Sequence, residues 1–180
     1  LFQGERLLAE EEAAREPGWP ATPDALRAET QRLAAVVDEF LARHGVSAID
    51  AVAARGGFLP RGEAKLPGGA YTVAEVRDGQ VAVNEPMVQA ITERPDCRHV
   101  ANLGIPLAAD LARRFRVPAF AVDPVVADEF CPEAQLSGYA PIRRRSVAHV
   151  LSVRAAARRV ADRTGTPLDR MACVVAHMGG

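Results

Sequence analysis

Lysine is nearly absent from this sequence, because Lys65 stands alone and the other 21 basic residues are arginines. The GxxxxGK[ST] pattern of a P-loop does not occur, so arginine side chains and backbone amides would have to hold any phosphate group. A charge excess of either sign is lacking too, since 22 basic and 23 acidic residues leave a formal net charge of −1. This balance argues against nucleic acid and anionic lipid as partners.

Long apolar runs and paired cysteines are also missing. No apolar run approaches about 18 residues, the length that a membrane span requires, which argues against a membrane partner. Cys97, Cys131 and Cys173 are odd in number and lack CxxC spacing. This pattern argues against a disulfide framework and a zinc site, and it favours a reducing, cytoplasmic compartment. With 180 residues, 48% of them hydrophobic, the chain is long enough for one buried core.

Helices and strands are predicted to alternate along the chain. A hairpin is expected over Leu1–Glu12 and an irregular loop or lid over Lys65–Ala74. Capping and spacing patterns predict helices over 22–45, 84–94, 100–115 and 146–163. Apolar runs predict buried strands over 49–54, 118–122 and 171–176. This order favours an α/β layered domain, in which ligands bind beyond the carboxyl ends of the strands.

Arg55-Gly56-Gly57 directly follows the first of these buried strands. Two glycines allow a substrate to approach the backbone, and an arginine offers a planar fork to a carboxylate or a phosphoryl group. The alternative is a tight turn with a solvated arginine. The motif is therefore a candidate for catalysis through Arg55 and for substrate binding at Gly56 and Gly57.

Asp123 follows the strand 118–122 and precedes Pro124. Because a proline disfavours helical backbone in the residue before it, we expect Asp123 to be extended. An acid at this place can orient a metal ion or a developing charge, whereas the alternative is an Asx-type turn. Asp123 is thus a candidate catalytic residue and metal ligand.

Two histidine-containing segments are further candidates. His99 and Asn102 lie at the start of the helix predicted over 100–115 and are compatible with the polar lining of a substrate pocket, although a histidine there is more often structural. The terminal turn of His177, Gly179 and Gly180 follows a predicted strand and can present amide groups to phosphate oxygens. Such a short turn is weak evidence when taken alone.

Three arginines, Arg143, Arg144 and Arg145, precede the predicted helix that begins at Ser146. Arginines beside a helix N-terminus form a potential anion site, but a short charge run is usually solvated or carries subunit contacts. On the helix itself, we expect Arg154 to be merely solvated. For His149 on the same helix, the sequence does not decide between the site and the core.

In this order, the segments resemble the butyrate kinases within the acetate and butyrate kinase family of actin-like, sugar-kinase-like ATPases. The resemblance rests on Arg55-Gly56-Gly57, Pro67-Gly68-Gly69, 84–87, HVANLG at 99–104, PAFAVDPVVADEF at 118–130, Ser137-Gly138, 144–149 and VVAHMGG at 174–180. It implies a ribonuclease H-like fold, incomplete at both ends. Residues 1–170 would form an N-terminal carboxylate-binding domain, and residues 171–180 would open a second, nucleotide-binding domain.

The resemblance also implies a chemistry, namely reversible phosphoryl transfer from ATP to butyrate or a branched short-chain acid, with Mg²⁺. Arg55 would hold the carboxylate or the phosphoryl group, and Asp123 would organise the nucleophile and the metal. Arg144 or Arg145 would contact the phosphoryl group. The nucleotide phosphates would lie at His177, Gly179 and Gly180. A homo-oligomer is expected.

Two alternatives remain open from the sequence. One is an acetate or propionate kinase, because the size of the acid pocket cannot be inferred from these residues. The other is a non-catalytic module for carboxylate binding or assembly. The resemblance places the family's first phosphate loop before Leu1 and its adenosine-binding half after Gly180, so we expect these 180 residues alone to be inactive.

Overall fold

A computed structural model describes residues 1–4, 6–14, 18, 20, 22–59, 66–144 and 150–176. The described α-helices are α1 (Pro23–Arg43), α2 (Glu85–Glu93), α3 (Gly104–Phe115) and α4 (Val150–Thr164). The described strands are β1 (Phe2–Gln3), β2 (Arg6–Leu7), β3 (Val52–Arg55), β4 (Ala70–Arg77), β5 (Gln80–Val83) and β6 (Ala119–Val122). The protein is thus a mixed α/β structure, as the sequence predicts at this coarse level.

Four of the strands form one mixed sheet in the order β3-β6-β4-β5. β3 and β6 are parallel, whereas β4 is antiparallel to both of its neighbours. Helix α3 packs on β3, β4 and β6, and α1 packs on α3. The core between α3 and the sheet contains fully buried apolar side chains such as Val73, Ile105 and Ala121. The sheet and α3 therefore fix the carboxyl ends of β3 and β6.

The predicted helix boundaries are confirmed where capping residues determine them. The Thr22 side chain accepts a hydrogen bond from Ala25 N, and the Asn84 side chain accepts one from Met87 N. Helix α1 ends at Arg43, and Gly45 follows in the left-handed region with φ +65°. In the part of the chain that the structure describes, no helix combines the length and apolar character needed to cross a bilayer.

The loop predicted over Lys65–Ala74 is wrong from residue 70 onward, because β4 begins at Ala70. β4 pairs with β5 in a hairpin whose turn residues Asp78 and Gly79 both have positive φ, 51° and 72°. An Asp-Gly pair between two strands favours this kind of two-residue turn. The hairpin supplies the pairing that orders the end of the expected loop, whereas Lys65 lies outside the described residues.

The buried strand predicted over 171–176 is also wrong. These residues follow a 3-10 turn at Leu168–Arg170, carry no strand assignment, and include Val174 at 99% exposure. A strand needs a neighbour to satisfy its backbone groups, and none of the described strands pairs with this segment. At the other end, the predicted hairpin is confirmed in shorter form, since β1 and β2 pair Phe2 with Leu7.

Candidate functional site

The candidate site lies where β3 and β6 end side by side. Their parallel register pairs Arg55 with Val122, so Arg55 is the last residue of β3 while Asp123 directly follows β6. The pairing continues past the strands, because Gly56 N donates to Val122 O at 3.0 Å and Val125 N donates to Gly56 O at 3.2 Å. The structure therefore brings Arg55, Gly56 and Asp123 to the same edge of the sheet.

Neither glycine of the predicted motif leaves room for a side chain. A Cβ atom on Gly56 would lie 2.8 Å from Pro124 Cα. A Cβ atom on Gly57 would overlap Asn102 Oδ1 and would lie 2.7 Å from Ala101 O. The two glycines thus permit close packing within the protein itself, between the end of β3 and its neighbours.

Asn102 is fully buried and holds the loop after β3. Its Oδ1 accepts a hydrogen bond from Phe58 N at 2.6 Å, and its Nδ2 donates to Phe58 O at 3.2 Å and Cys97 O at 2.6 Å. Because backbone groups bond to both ends of the amide, the Asn102 side chain fixes the backbone of the loop that follows β3. Its predicted contact with substrate remains a prediction.

His99 is an exposed residue at the start of the 3-10 turn Val100–Asn102. Its Nδ1 accepts a hydrogen bond from Ala101 N at 3.1 Å, and its ring meets the Phe58 ring edge-on at 4.6 Å between centroids. These contacts give His99 a capping role beside the loop that follows β3. Its predicted role in substrate binding remains a prediction.

Asp123 has a left-handed backbone with φ +41°, so the expectation of an extended conformation is wrong. A reciprocal pair with Gly69 accounts for the difference, since Asp123 N donates to Gly69 O at 2.8 Å and Asp123 Oδ1 accepts from Gly69 N at 2.8 Å. Aspartate tolerates this region better than most residues. The side chain is 6% exposed, so this acid is held firmly at the sheet edge.

Arg154 of α4 is the unexpected member of the site. Its Nη1 donates to Asp123 Oδ1 at 3.1 Å, and its Nη2 donates to Glu129 Oε1 at 2.8 Å and Oε2 at 3.0 Å. The expectation that Arg154 is merely solvated is therefore wrong, because α4 lies close enough to the sheet edge for its guanidinium to join two acids. Glu129 Oε1 also accepts a hydrogen bond from Gly68 N at 2.9 Å.

Hydrogen bonds, burial and nearby charges shift the pKa values of two groups at this edge of the sheet. The hydrogen bond from Gly68 N, followed by the one from Arg154, lowers the pKa of Glu129. Burial, followed by the negative charges of Asp123 and Glu129, raises the pKa of Tyr71, whose hydroxyl donates to Pro67 O. Glu129 is thus held as a carboxylate and Tyr71 as a neutral phenol at the edge of the site.

The remaining predicted residues lie elsewhere or outside the described part of the chain. Arg144 is exposed, its guanidinium lies 5.8 Å from the Phe130 ring centroid, and its N donates to Gln135 O at 2.8 Å. The residues outside the described ranges are Arg145, His149, His177, Gly179 and Gly180. The structure thus unites the predicted residues of the β3 and β6 ends and leaves the terminal turn as a prediction.

Comparison with known proteins supports the resemblance over the whole chain. It is 34% identical over 180 residues to a probable butyrate kinase of Enterococcus faecalis, covering 100% of this chain and 46% of that protein. Over 158 residues it is 34% identical to a probable butyrate kinase of Coprothermobacter proteolyticus, covering 86% of this chain and 40% of that protein. The chain is a relative of the butyrate kinase family.

A third butyrate kinase relative gives the same result. A probable butyrate kinase of Listeria innocua is 37% identical over 150 residues, which is 83% of this chain and 38% of that protein. The chain therefore spans less than half the length of these butyrate kinase relatives. No protein-family model matches the chain.

Neither a role for Glu129 nor the contacts of Arg154 were predicted from the sequence. Glu129 lies in the segment 118–130 of the resemblance, and Arg154 lies beyond its segment 144–149, but no spacing rule connects an acid after β6 to an arginine on α4. The only available signal was Gly68-Gly69, because paired glycines mark places of close approach. A Cβ atom on Gly68 would in fact lie 2.7 Å from Arg154 Nη2.

Proposed function

We propose that the natural protein containing this chain is a short-chain carboxylate kinase. It would transfer a phosphoryl group reversibly from ATP to butyrate or a branched short-chain acid, giving an acyl phosphate and ADP. The observation that carries the proposal is the 34% identity over all 180 residues to a protein named probable butyrate kinase. The convergence of Arg55 and Asp123 at one sheet edge supports it.

Arg55 is suited to bind the negative groups of this reaction. It is exposed at the carboxyl end of β3, directly before a loop that Asn102 and the backbone hydrogen bonds of Gly56 hold in place. A guanidinium can bind a carboxylate or a phosphoryl group through two parallel hydrogen bonds. Since phosphoryl transfer depends mainly on positioning and charge neutralisation, a fixed arginine would serve both needs.

The donor set at Asp123 fits Mg²⁺ as part of a site shared with substrate. Mg²⁺ is usually held by one or two carboxylates together with phosphates and waters. Among the described residues, no group of three or more His, Cys, Asp or Glu could hold a metal ion, so the phosphates would supply further ligands. When bound, Mg²⁺ would neutralise charge on the transferred group, and Asp123 would be the carboxylate that holds it, in an orientation that the bonds of Oδ1 to Gly69 and Arg154 set.

The nucleotide half of the reaction is assigned to the end of the chain. We place residues 1–170 in the carboxylate-binding domain and residues 171–180 at the start of a second domain. In the second domain, His177, Gly179 and Gly180 would bind ATP phosphates. In the first domain, Arg144 or Arg145 would contact the phosphoryl group. The exposure of the apolar run 171–176 supports this proposal, because the rest of a second domain would cover it. A cytoplasmic homo-oligomer remains the expected state.

Trapping of acyl phosphate with hydroxylamine tests this function in the protein at its natural length. With ATP and Mg²⁺ we expect acyl hydroxamate from butyrate or isobutyrate. Arg55→Met should lower kcat/KM by about a hundredfold, because positioned charges of this kind contribute roughly that much. Arg27→Met removes an exposed arginine of α1, a helix that contributes no residue to the candidate site, and it should have little effect.

Each other outcome has a definite meaning. Hydroxamate from acetate or propionate but not from butyrate would favour the acetate or propionate kinase. Binding of a carboxylate without affinity for ATP would favour the non-catalytic module. Absence of hydroxamate with every acid tried would contradict the proposal. ATP-dependent turnover by the 180-residue chain would contradict the expectation that it is inactive alone.

A further inference from the structure

We propose that Arg154 is a positioning residue of the candidate site, which joins α4 to Asp123 and to the Gly68-Gly69 turn. This inference rests on the proposed carboxylate kinase function. It concerns how the site is held in shape, because Arg154 reaches Asp123 from a helix that contributes no predicted ligand. Glu129, the second acid that Arg154 contacts, belongs to the same arrangement.

The guanidinium spans the two acids with different nitrogen atoms. Nη1 lies 3.1 Å from Asp123 Oδ1, while Nη2 lies 2.8 Å from Glu129 Oε1. A lysine ammonium is a single point charge and cannot reproduce this planar fork. The contact with Asp123 is also sheltered, since that carboxylate is 6% exposed while the Arg154 side chain is 45% exposed. Arginine is therefore required for its shape as well as its charge.

The backbone of the Gly68-Gly69 turn completes the arrangement. Gly68 N donates to Glu129 Oε1 and Gly69 N donates to Asp123 Oδ1, so each acid accepts one turn amide and one arm of Arg154. A Cβ atom on Gly68 would lie 2.7 Å from Arg154 Nη2 and 2.9 Å from Glu129 Oε1. The absence of a side chain at Gly68 thus lets the guanidinium lie directly against the turn.

This geometry determines which part of Asp123 remains for chemistry. Within the described residues, the hydrogen bonds to its carboxylate both end on Oδ1. Oδ2 is left for a ligand, in an orientation set by Gly69 and Arg154. Loss of Arg154 would free the carboxylate to rotate and α4 to move, and a small displacement of a reacting group can cost about a hundredfold in rate.

The experiment compares Arg154→Met with Arg159→Met in the protein at its natural length. Both changes remove a positive charge from α4. Arg159 is exposed, and the described hydrogen bonds to Asp123 and Glu129 from this helix come from Arg154. Hydrogen exchange measured by mass spectrometry reports on the turn, and steady-state kinetics report on the site. We expect Arg154→Met to accelerate exchange in peptides over 66–77 about tenfold while peptides over 104–115 stay unchanged.

The same variant should lower kcat by roughly ten- to a hundredfold and change KM for the acid less than threefold, because positioning is lost while Arg55 remains. Arg154→Lys should recover only part of kcat. If Arg154→Met fails to fold, Glu129→Gln keeps the size of its side chain and weakens the same contact, with a smaller effect in the same direction. Unchanged exchange over 66–77, or effects equal to those of Arg159→Met, would overturn the proposal.

Failure of the proposed function is distinguishable from failure of this inference. If the unaltered protein forms no acyl hydroxamate, the carboxylate kinase proposal fails, and exchange over 66–77 then decides the positioning role by itself. If the unaltered protein is active but Arg154→Met matches it in kcat, the positioning role fails and the kinase assignment stands.

Discussion

Two apolar runs of similar length behave differently in this protein. In β6, Ala119 and Ala121 are fully buried between β3 and β4. The run 171–176 is at least as apolar, yet it forms no strand and Val174 is 99% exposed. Composition alone therefore does not decide burial, because a strand is stable only where neighbouring backbone and side chains meet it.

The residues that follow β6 are also held by contacts with distant parts of the chain. After β6, Asp123 bonds to the Gly69 backbone and Arg154, and the chain continues against Gly56. The end of β6 is therefore held by long-range contacts. Substitutions there should lower the stability of the protein far more than the same substitutions in 171–176.

The largest expected difference is in thiol reactivity between the buried core that contains β6 and the exposed run 171–176. Cys97 is 1% exposed and burial raises the pKa of its thiol, whereas Cys173 in the second run is exposed. In the 180-residue chain we expect Cys173 to react with a maleimide faster than Cys97 by on the order of a thousandfold, because Cys97 reacts only after local opening. Mass spectrometry of timed samples measures both rates.

Exposed Cys131 serves as the control and should react like Cys173. Equal rates for Cys97 and Cys131 would contradict the buried position of Cys97. Slow labelling of Cys173 in the natural-length protein but not in the 180-residue chain would sharpen the comparison, since it would show that further parts of that protein cover 171–176.

A matched pair of overpacking substitutions gives the next largest effect. Ala121→Leu inserts three carbon atoms into the fully buried middle of the sheet, so the free energy of unfolding should fall by about 1–3 kcal/mol. Ala172→Leu makes the same change at an exposed position and should alter it by less than about 0.5 kcal/mol. Urea denaturation measures both. Equal losses would contradict the contrast between the two runs.

The smallest expected effect concerns acid stability at the edge beyond β6. The pKa of Glu129 is below its ordinary 4.5, so its ionised form stabilises the fold above that value. This contribution is lost as the pH falls through the lowered pKa, and Glu129→Gln should therefore flatten the decrease of the melting temperature between about pH 5 and 3. The effect is small because half of the Glu129 side chain is exposed to solvent.

Asp169→Asn, in the turn before 171–176, is the control for this measurement. It removes a carboxylate from the region that lacks the Arg154 contacts, and it should leave the acid slope nearly unchanged. A steeper slope in Glu129→Gln than in the unaltered protein would contradict the direction of the shift.

Local signals predicted the parts of the fold that depend on nearby residues. The caps at Thr22 and Asn84 fixed two helix starts, and the apolar run before Asp123 gave β6. The hairpin of β4 and β5 was missed although Asp78-Gly79 is a strong local signal for it. The strand expected over 171–176 was wrong because pairing is a long-range property that one segment does not contain.

The candidate site shows the same limit. The parallel ends of β3 and β6 follow from an α/β order of elements, so the approach of Arg55 and Asp123 was accessible from the sequence. The left-handed backbone of Asp123 and the Arg154 contacts were not, because both depend on where Gly69 and α4 lie in space. The roles of His177, Gly179 and Gly180 stay predictions.

The contact between Gly68 and Arg154 has a consequence for how the sequence can vary in evolution. These positions are far apart in the chain, yet a side chain at Gly68 would collide with the guanidinium. A shorter residue at 154 would remove this close approach, whereas a larger residue at 68 would displace the guanidinium from its place against the turn. We therefore expect the two positions to vary together in related sequences.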